Sequence, residues 1–457
     1  MSTTDLTAAV RTLGDAIAGD VVLPEDERWE EARQAWNLAA DPRPVAVVYP
    51  ESAEDMAAAV TFAGAHDLRV AFVAGGHNAG PVDWSRDALL VKTERMREIE
   101  IDAVSRRARI GAGVLAQPLA DAAGAHGLAF LAGTSPDAGV AGYALGGGYS
   151  WMIRKHGLAC NSILALEAVT AGGRIVRADE SSEPDLYWAI RGGSGNFAAV
   201  TAIELELYAV TELYAGCLFW PIERATEILS AWLEWTESVP VECHSIGRVL
   251  QLPDAPFLPP HLNARSFVLV EAAHLGSREE GEELLAPLRA LEPELDTFDV
   301  IPPTALSLVN MDPDFPLPYA GDGALLSSAS PDTIGALVDA FVGSPLLHAE
   351  IRHLGGAVAE SAPHHGALDH VEQPFVFFTF GLAFDADLHA AVEQAVERVF
   401  AAIAPWNSGK RYLNFTEVRA DSRTMFPAES YERLLAVKRA YDPDGRFIAN
   451  HLIPVGG

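Results

Sequence analysis

The chain of 457 residues is 49% apolar and 21% charged, the profile of a soluble globular protein of about two to three domains. Its 63 acidic residues outweigh 32 basic ones for a net charge of −31, a field that repels phosphate backbones and anionic lipid and argues against nucleic acid or a membrane as partner. No apolar run reaches membrane-spanning length, no basic leader precedes an apolar block, and Cys160, Cys217 and Cys243 lie far apart without a CxxC, so a cytoplasmic protein is expected.

Leu6, Val10, Leu13 and Ile17 recur at helical spacing at the start of the chain. From about Pro44 to Leu207 short strands alternate with helices. "PVAVVYP" reads as a strand, and "SAEDMAAAVTFAGAHDL" as a helix opened by a capping box of Ser52 with Asp55. "RVAFVAG" is a second strand, running into the loop "GGHNAG". "REIEID" and "RARIGAG" alternate by twos as paired strands, and "ILALEAVTAGGRIVRAD" is a hairpin turning at Gly172–Gly173. Beyond Thr211 strands such as "SFVLVEAAHL" and "FVFFTFGLAF" alternate with helices such as "REEGEELLAPLRALE" and "DLHAAVEQAVERVFAAIA". "PDAPFLPPHL" and "NMDPDFPLPYAGDGA" read as long loops, and a helix around "YERLLAVKRAYDP" lies near the C-terminus.

Several motifs fail on inspection. "GAGVLA" has the GxGxxA form between a strand and a helix, but Ala129–Ser135, about 20 residues on, holds no acid for a ribose. "GSGNFA" has the same form before a strand rather than a helix. "ALGGGYSW" lacks the Lys-Ser/Thr of a P-loop. "HHGALDH" (His364–His370) offers a histidine pair without a third ligand at a recognised spacing. What remains is a series of glycine clusters: Gly75–Gly76, Gly139 with Gly142, Gly146–Gly148, and Gly192–Gly193 with Gly195. Together they suggest loops converging on an extended ligand that the backbone itself contacts. A dinucleotide pyrophosphate fits, because oriented N–H groups stabilise an anion without charged side chains.

In order along the chain, "AGGHNAG", "GTSPDAGVAGYALGGGYSWMIRKHGLA", "VTAGGRIVRADESSEPDLYWAIRGGSGNFAAVT", "YLNF" and "AVKRAYDPDGRFIAN" resemble motifs of the FAD-linked oxidases of the vanillyl-alcohol oxidase superfamily, in the branch of berberine bridge enzyme and 6-hydroxynicotine oxidase. The resemblance implies an α+β fold. A two-subdomain, PCMH-type FAD-binding domain would span residues 1–207, and a substrate domain with an antiparallel sheet backed by helices 208–410. Residues 411–457 would return to the first domain. It also implies FAD as cofactor, bonded through a ring nitrogen of His77 to the 8α methyl, with Gly75 and Gly76 cradling the pyrophosphate. Ala74, Asn78, Gly139, Gly142, Tyr143, Gly147, Val200 and Asn450 stand at further cofactor-binding positions.

Two departures matter. Ser135 occupies the place where many relatives carry a second, cysteinyl link, and serine is a far poorer nucleophile at neutral pH, so a single covalent bond is expected. Val73–Ala74 replace the usual Arg-Ser or Arg-Gly, which removes a charged contact. Ala138 stands where relatives govern oxygen access, and its small size favours an oxidase. The reaction implied is hydride transfer from a small amine or alcohol to flavin N5, with O2 as acceptor and H2O2 as product. Tyr412 is the matching candidate base and Asn414 the matching polar contact. Arg248, His274, Arg352 and His353 are polar candidates on strand-like runs, beside the aromatic stripes "CLFW" and "FVFFTF". A flavin–oxygen-adduct oxygenase, a flavin dehydrogenase and, more distantly, a metal-binding or non-catalytic protein are the alternatives. Monomer and homo-oligomer both stay open.

Overall fold

The computed structural model describes residues 3–84, 86–254 and 262–456, and most of the expected "PDAPFLPPHL" loop lies outside them. Three sheets organise the chain. The first is five-stranded, in the spatial order Asp20–Val22, Ala46–Tyr49, Ala88–Lys92, Arg69–Val73 and Phe447–Ile448. All its pairings are parallel except that of Asp20–Val22. Ala46–Tyr49 and Ala88–Lys92 are buried throughout, as the apolar runs of a sheet covered on both faces must be. The helices Thr3–Ala16 and Ala53–Ala65 cover one face, packing Val10, Leu13, Met56 and Val60 against Val48, Val70 and Leu89.

The expected capping box is half formed. Ser52 Oγ accepts the N–H of Asp55, but the Asp55 carboxylate turns away to accept the N–H groups of Ala18, Gly19 and Glu51. It ties two chain segments together instead of closing its own helix.

The second sheet is antiparallel, in the order Ile99–Asp102, Arg107–Gly111, Ala199–Glu206, Ile163–Val169, Ile175–Ala178. The third has eight antiparallel strands drawn from residues 213–382, with Cys243–Gln251 and His348–His353 near its centre. Helices Ala225–Thr236, Pro331–Phe341 and Ala386–Ile403 back one face, against Val249, Ala349, Ile351, Phe375 and Phe377. Strand alternation therefore turns Arg248, Glu350, Arg352 and Phe378 to the opposite face.

One expected loop is partly a strand: Tyr319–Leu326 pairs along its whole length with Phe375–Leu382. Its glycines mark close packing rather than turns. A Cβ at Gly321 would lie 2.5 Å from Phe380 Cβ, and one at Gly323 2.3 Å from the Phe415 carbonyl oxygen. Among the described residues no helix is long and apolar enough to cross a membrane.

Candidate active site

The strand Arg69–Val73 ends in the loop Ala74–Asn78, which lines a cleft shared with segments 133–149, 194–200, 414–417 and 448–450. The loop's fold follows from its glycines. Gly76 adopts φ +94°, and a Cβ there would come within 2.9 Å of Ala35 Cβ. The carbonyls of Gly75 and Gly76 accept the N–H groups of Trp36 and Asn37 at 3.2 and 3.3 Å. Among the described residues, no acceptor is bonded to the N–H groups of Gly75, Gly76, His77 or Asn78. A bend with its donors unspent is an anion-binding concavity.

His77 stacks on Trp36, with ring centroids 4.2 Å apart and 18° between planes. Its Nε2 lies 3.0 Å from Asp137 Oδ1, and its carbonyl accepts the Tyr319 hydroxyl at 2.7 Å. The contact at Nε2 is a charge contact without hydrogen-bond alignment; the Asp137 carboxylate accepts hydrogen bonds from Trp36 Nε1 and, at 2.9 Å, from Ser135 Oγ. Burial works against the charged carboxylate, but these donors and His77 together hold it below its usual range.

On the next residue, Asn78 Nδ2 donates to the Thr416 carbonyl at 2.9 Å and to Glu417 Oε1 at 3.1 Å. Its Oδ1 accepts from Asn450 Nδ2 at 2.7 Å, which joins the loop to the C-terminal segment. Burial pushes Glu417 up to about 8, with Asn78 among the contacts that oppose it.

The opposite wall is the glycine-rich stretch after Asp137. Gly142, on the short helix Val140–Leu145, has no protein atom within 4 Å of where a Cβ would stand, so this wall is open towards the cleft. Asn414 fastens it, accepting the Gly148 N–H at 2.8 Å and donating to the Tyr143 carbonyl at 3.1 Å. Ser135, Ala138, Gly139, Tyr143 and Val200 complete the lining.

Two residues expected in the site do not reach it. Gly147 takes φ +122° and packs against Tyr412 and Leu368 instead of the cleft. Tyr412 is 1% exposed, its hydroxyl has no partner, and burial raises its pKa well above the ordinary value. Besides Tyr143, whose hydroxyl donates to the Leu131 and Tyr149 carbonyls, the cleft is lined by Tyr149, hydrogen-bonded to His244 Nε2 and lying 4.8 Å beneath the Arg352 guanidinium. Burial raises the Tyr149 hydroxyl, with Arg352 opposing, and burial likewise keeps His244 neutral. Tyr149 sits inside the quoted "ALGGGYSW", and Asp137 inside "GTSPDAG"; neither had a motif partner nearby in sequence to single it out.

Of the polar strand candidates, Arg352 reaches the cleft, where it also pairs with Glu350 at 2.6 Å. Arg248 is buried in an ion pair with Glu271, and neither His274 nor His353 lines the cleft. "CLFW" is spent on the core, with Leu218 and Trp220 against the helices and Phe219 against Phe267. In "HHGALDH", His365 and His370 both turn to Asp369, at 2.7 and 3.0 Å, and among the described residues no three potential ligands gather for a metal.

Residues 44–179 match the FAD binding domain family, and residues 411–454 match the family of berberine and berberine-like proteins. Over 97% of this chain and 98% of its own length, (R)-6-hydroxynicotine oxidase from Paenarthrobacter nicotinovorans is 27% identical. The crystal structure of 6-hydroxy-D-nicotine oxidase from Arthrobacter nicotinovorans superposes with a TM-score of 0.83 at 25% identity, covering 94% of this chain and 96% of that one. A glucooligosaccharide oxidase from Acremonium strictum, carrying a 6-S-cysteinyl, 8α-N1-histidyl FAD, shares the fold with a TM-score of 0.82 at 21% identity over 98% and 99% of the two chains. The cleft fits such a group. Unspent N–H groups at Gly75–Asn78 suit a pyrophosphate, and the open wall at Gly142 leaves room for a planar ring.

Proposed function

Because this chain is an FAD-linked oxidoreductase with a PCMH-type FAD-binding domain and a berberine-like C-terminal segment, we propose that it is a cytoplasmic oxidase of a small amine or alcohol, carrying its FAD on a single covalent link through His77. The observation that carries this reading is the loop itself, where His77 stands beside four N–H donors at the mouth of the cleft. When bound, FAD supplies a two-electron acceptor at N5 that returns its electrons to O2 as H2O2.

The rest is the work of this chain's own residues. The Gly75–Asn78 donors hold the diphosphate, and Asn414 keeps the glycine wall in place. Ser135 stands in for the cysteine of doubly linked relatives, which supports one tether rather than two. Ala138 presents only a methyl group to the cleft, which supports ready access of O2. For an alcohol substrate, Tyr149 is the candidate to take the substrate proton: burial raises its hydroxyl, and the Arg352 guanidinium above its ring works against that rise. An amine reacts as its neutral form and needs no such base. The buried free cysteines Cys160, Cys217 and Cys243 suit a reducing compartment.

The test is to denature the purified protein in acid, pass it through a membrane filter and follow the yellow colour. Colour that stays with wild-type protein but washes out of a His77→Ala variant supports the histidyl link, and O2 consumption with amines and alcohols then follows. Colour in the wild-type filtrate means a dissociable flavin and removes the link from the reading.

A further inference from the structure

Beside the cleft, two distant segments close around one imidazole: Trp36 and Asp137 touch His77, and Ser135 braces Asp137. Each contact has a direction. Nε2 of His77 faces Asp137 Oδ1 at 3.0 Å, while Trp36 stacks flat against the ring and fixes its plane. The carboxylate cannot swing away, because Ser135 Oγ donates to Oδ1 at 2.9 Å and the indole N–H of Trp36 to Oδ2. The same indole ring therefore holds both members of the pair.

We propose that Asp137 is the positioning residue for flavin attachment: it fixes the tautomer of His77, with the proton on Nε2 and the lone pair on Nδ1, and stabilises the charge that attachment creates. This rests on the histidyl link proposed above. The contact is not aligned as a hydrogen bond, but an ionised carboxylate 3.0 Å from Nε2 repels a ring lone pair there and favours the proton on that nitrogen. The nitrogen left to form a bond is Nδ1.

The step balances as follows. The Nδ1 lone pair forms a bond to the 8α carbon, one C–H bond of that methyl breaks, and its proton leaves to solvent. Two electrons pass into the flavin ring, and O2, the acceptor of the proposed reaction, removes them as H2O2. Nε2 keeps its proton, so the alkylated ring is a cation, and it lies beside a carboxylate that Trp36 and Ser135 also bind. Ser135 thus has a task of its own. Standing where relatives place a second tether, it orients the group that serves the first.

The experiment follows covalent incorporation, not turnover. The full-length chain is produced under flavin limitation and incubated with FAD in air, and attached flavin is read by intact mass and by fluorescence after acid precipitation. Non-covalent FAD binding is measured in every variant. Asp137→Ala is expected to slow attachment by about tenfold or more, the factor that one pK unit of lost charge stabilisation represents. Asp137→Asn should fall between the two, since an amide of the same shape still packs beside Nε2 but carries no charge. Added formate should restore part of the rate to Asp137→Ala, which a purely structural role would not allow.

Attachment by Asp137→Ala at the wild-type rate overturns the proposal. Should that variant fail to bind FAD, Asp137→Asn decides, and a wild-type rate there overturns it equally. Wild-type protein that never attaches FAD ends the histidyl reading and this inference with it. A linked wild type with indifferent Asp137 variants ends this inference alone.

Discussion

Asn414 Oδ1 accepts the backbone N–H of Gly148 at 2.8 Å, across 266 positions of sequence. The same side chain donates to the Tyr143 carbonyl at 3.1 Å, so a single amide clamps both ends of the wall segment that turns through Gly146 and Gly147. Replacing Asn414 with Ala leaves a donor and an acceptor unpaired. It should cost about 1–3 kcal/mol in urea unfolding of the flavin-free chain. Asn414→Asp keeps the acceptor for Gly148 and should lose less.

Gly142 and Gly147 were equivalent as sequence positions, and the structure separates them. A Cβ at Gly142 meets no protein atom within 4 Å, so Gly142→Ala should fold at full stability yet bind FAD more weakly. At Gly147 φ is +122°, and a Cβ would come within 2.6 Å of the Tyr412 ring. Gly147→Ala should therefore destabilise the flavin-free chain by about 1–3 kcal/mol, the usual cost of a strained backbone position. Thermal melts with and without FAD distinguish the two effects.

Tyr149 and Tyr412 form a second contrast. Tyr149→Phe removes the cleft-lining hydroxyl bonded to His244, and on an alcohol substrate it should lower kcat by about 10²-fold or more, the usual contribution of a general base. FAD content should stay unchanged. Tyr412→Phe removes a buried hydroxyl that has no partner, and should be neutral or slightly stabilising with kcat retained. The reverse ranking would return the role of base to Tyr412.

The glycine loops and His77 were legible because each is a contiguous motif whose chemistry lies within a few residues. The groups that orient them were not. Trp36, His77 and Asp137 come from three segments, and only the folded chain brings them together. Tyr412 is expected in the site from the resemblance alone, and local geometry places it: Leu413–Phe415 is a 3-10 turn, with Asn414 on the glycine wall and Tyr412 in the core. Likewise "YAGDGA" resembled a loop because glycine marks turns more often than the close approach of a strand to its neighbours.

Two buried groups give the flavin-free chain opposed responses to pH. Burial pushes Glu417 up to about 8 from 4.5, so over that interval the folded chain keeps a proton that the unfolded chain releases. Its contribution to stability is full below 4.5 and is lost as pH rises through 8. Burial brings His451 down to about 4 from 6.5, despite the hydrogen bond with the Leu413 carbonyl. Here the unfolded chain takes the proton first, so stability is full above 6.5 and is lost as pH falls through about 4. Urea midpoints measured across pH 4 to 8 check both. Glu417→Gln should flatten the alkaline decline and leave the acid limb, and His451→Gln should do the opposite.

Phe447–Ile448 is the edge strand of a sheet whose other strands all lie before Thr93, and Asn450 holds the loop next to His77. During synthesis the early strands emerge first and wait with that edge bare. Their partner is made more than 350 residues after Lys92. The loop that carries His77 is thereby completed late: a polypeptide cut short before residue 447 lacks both the edge strand and the asparagine latch.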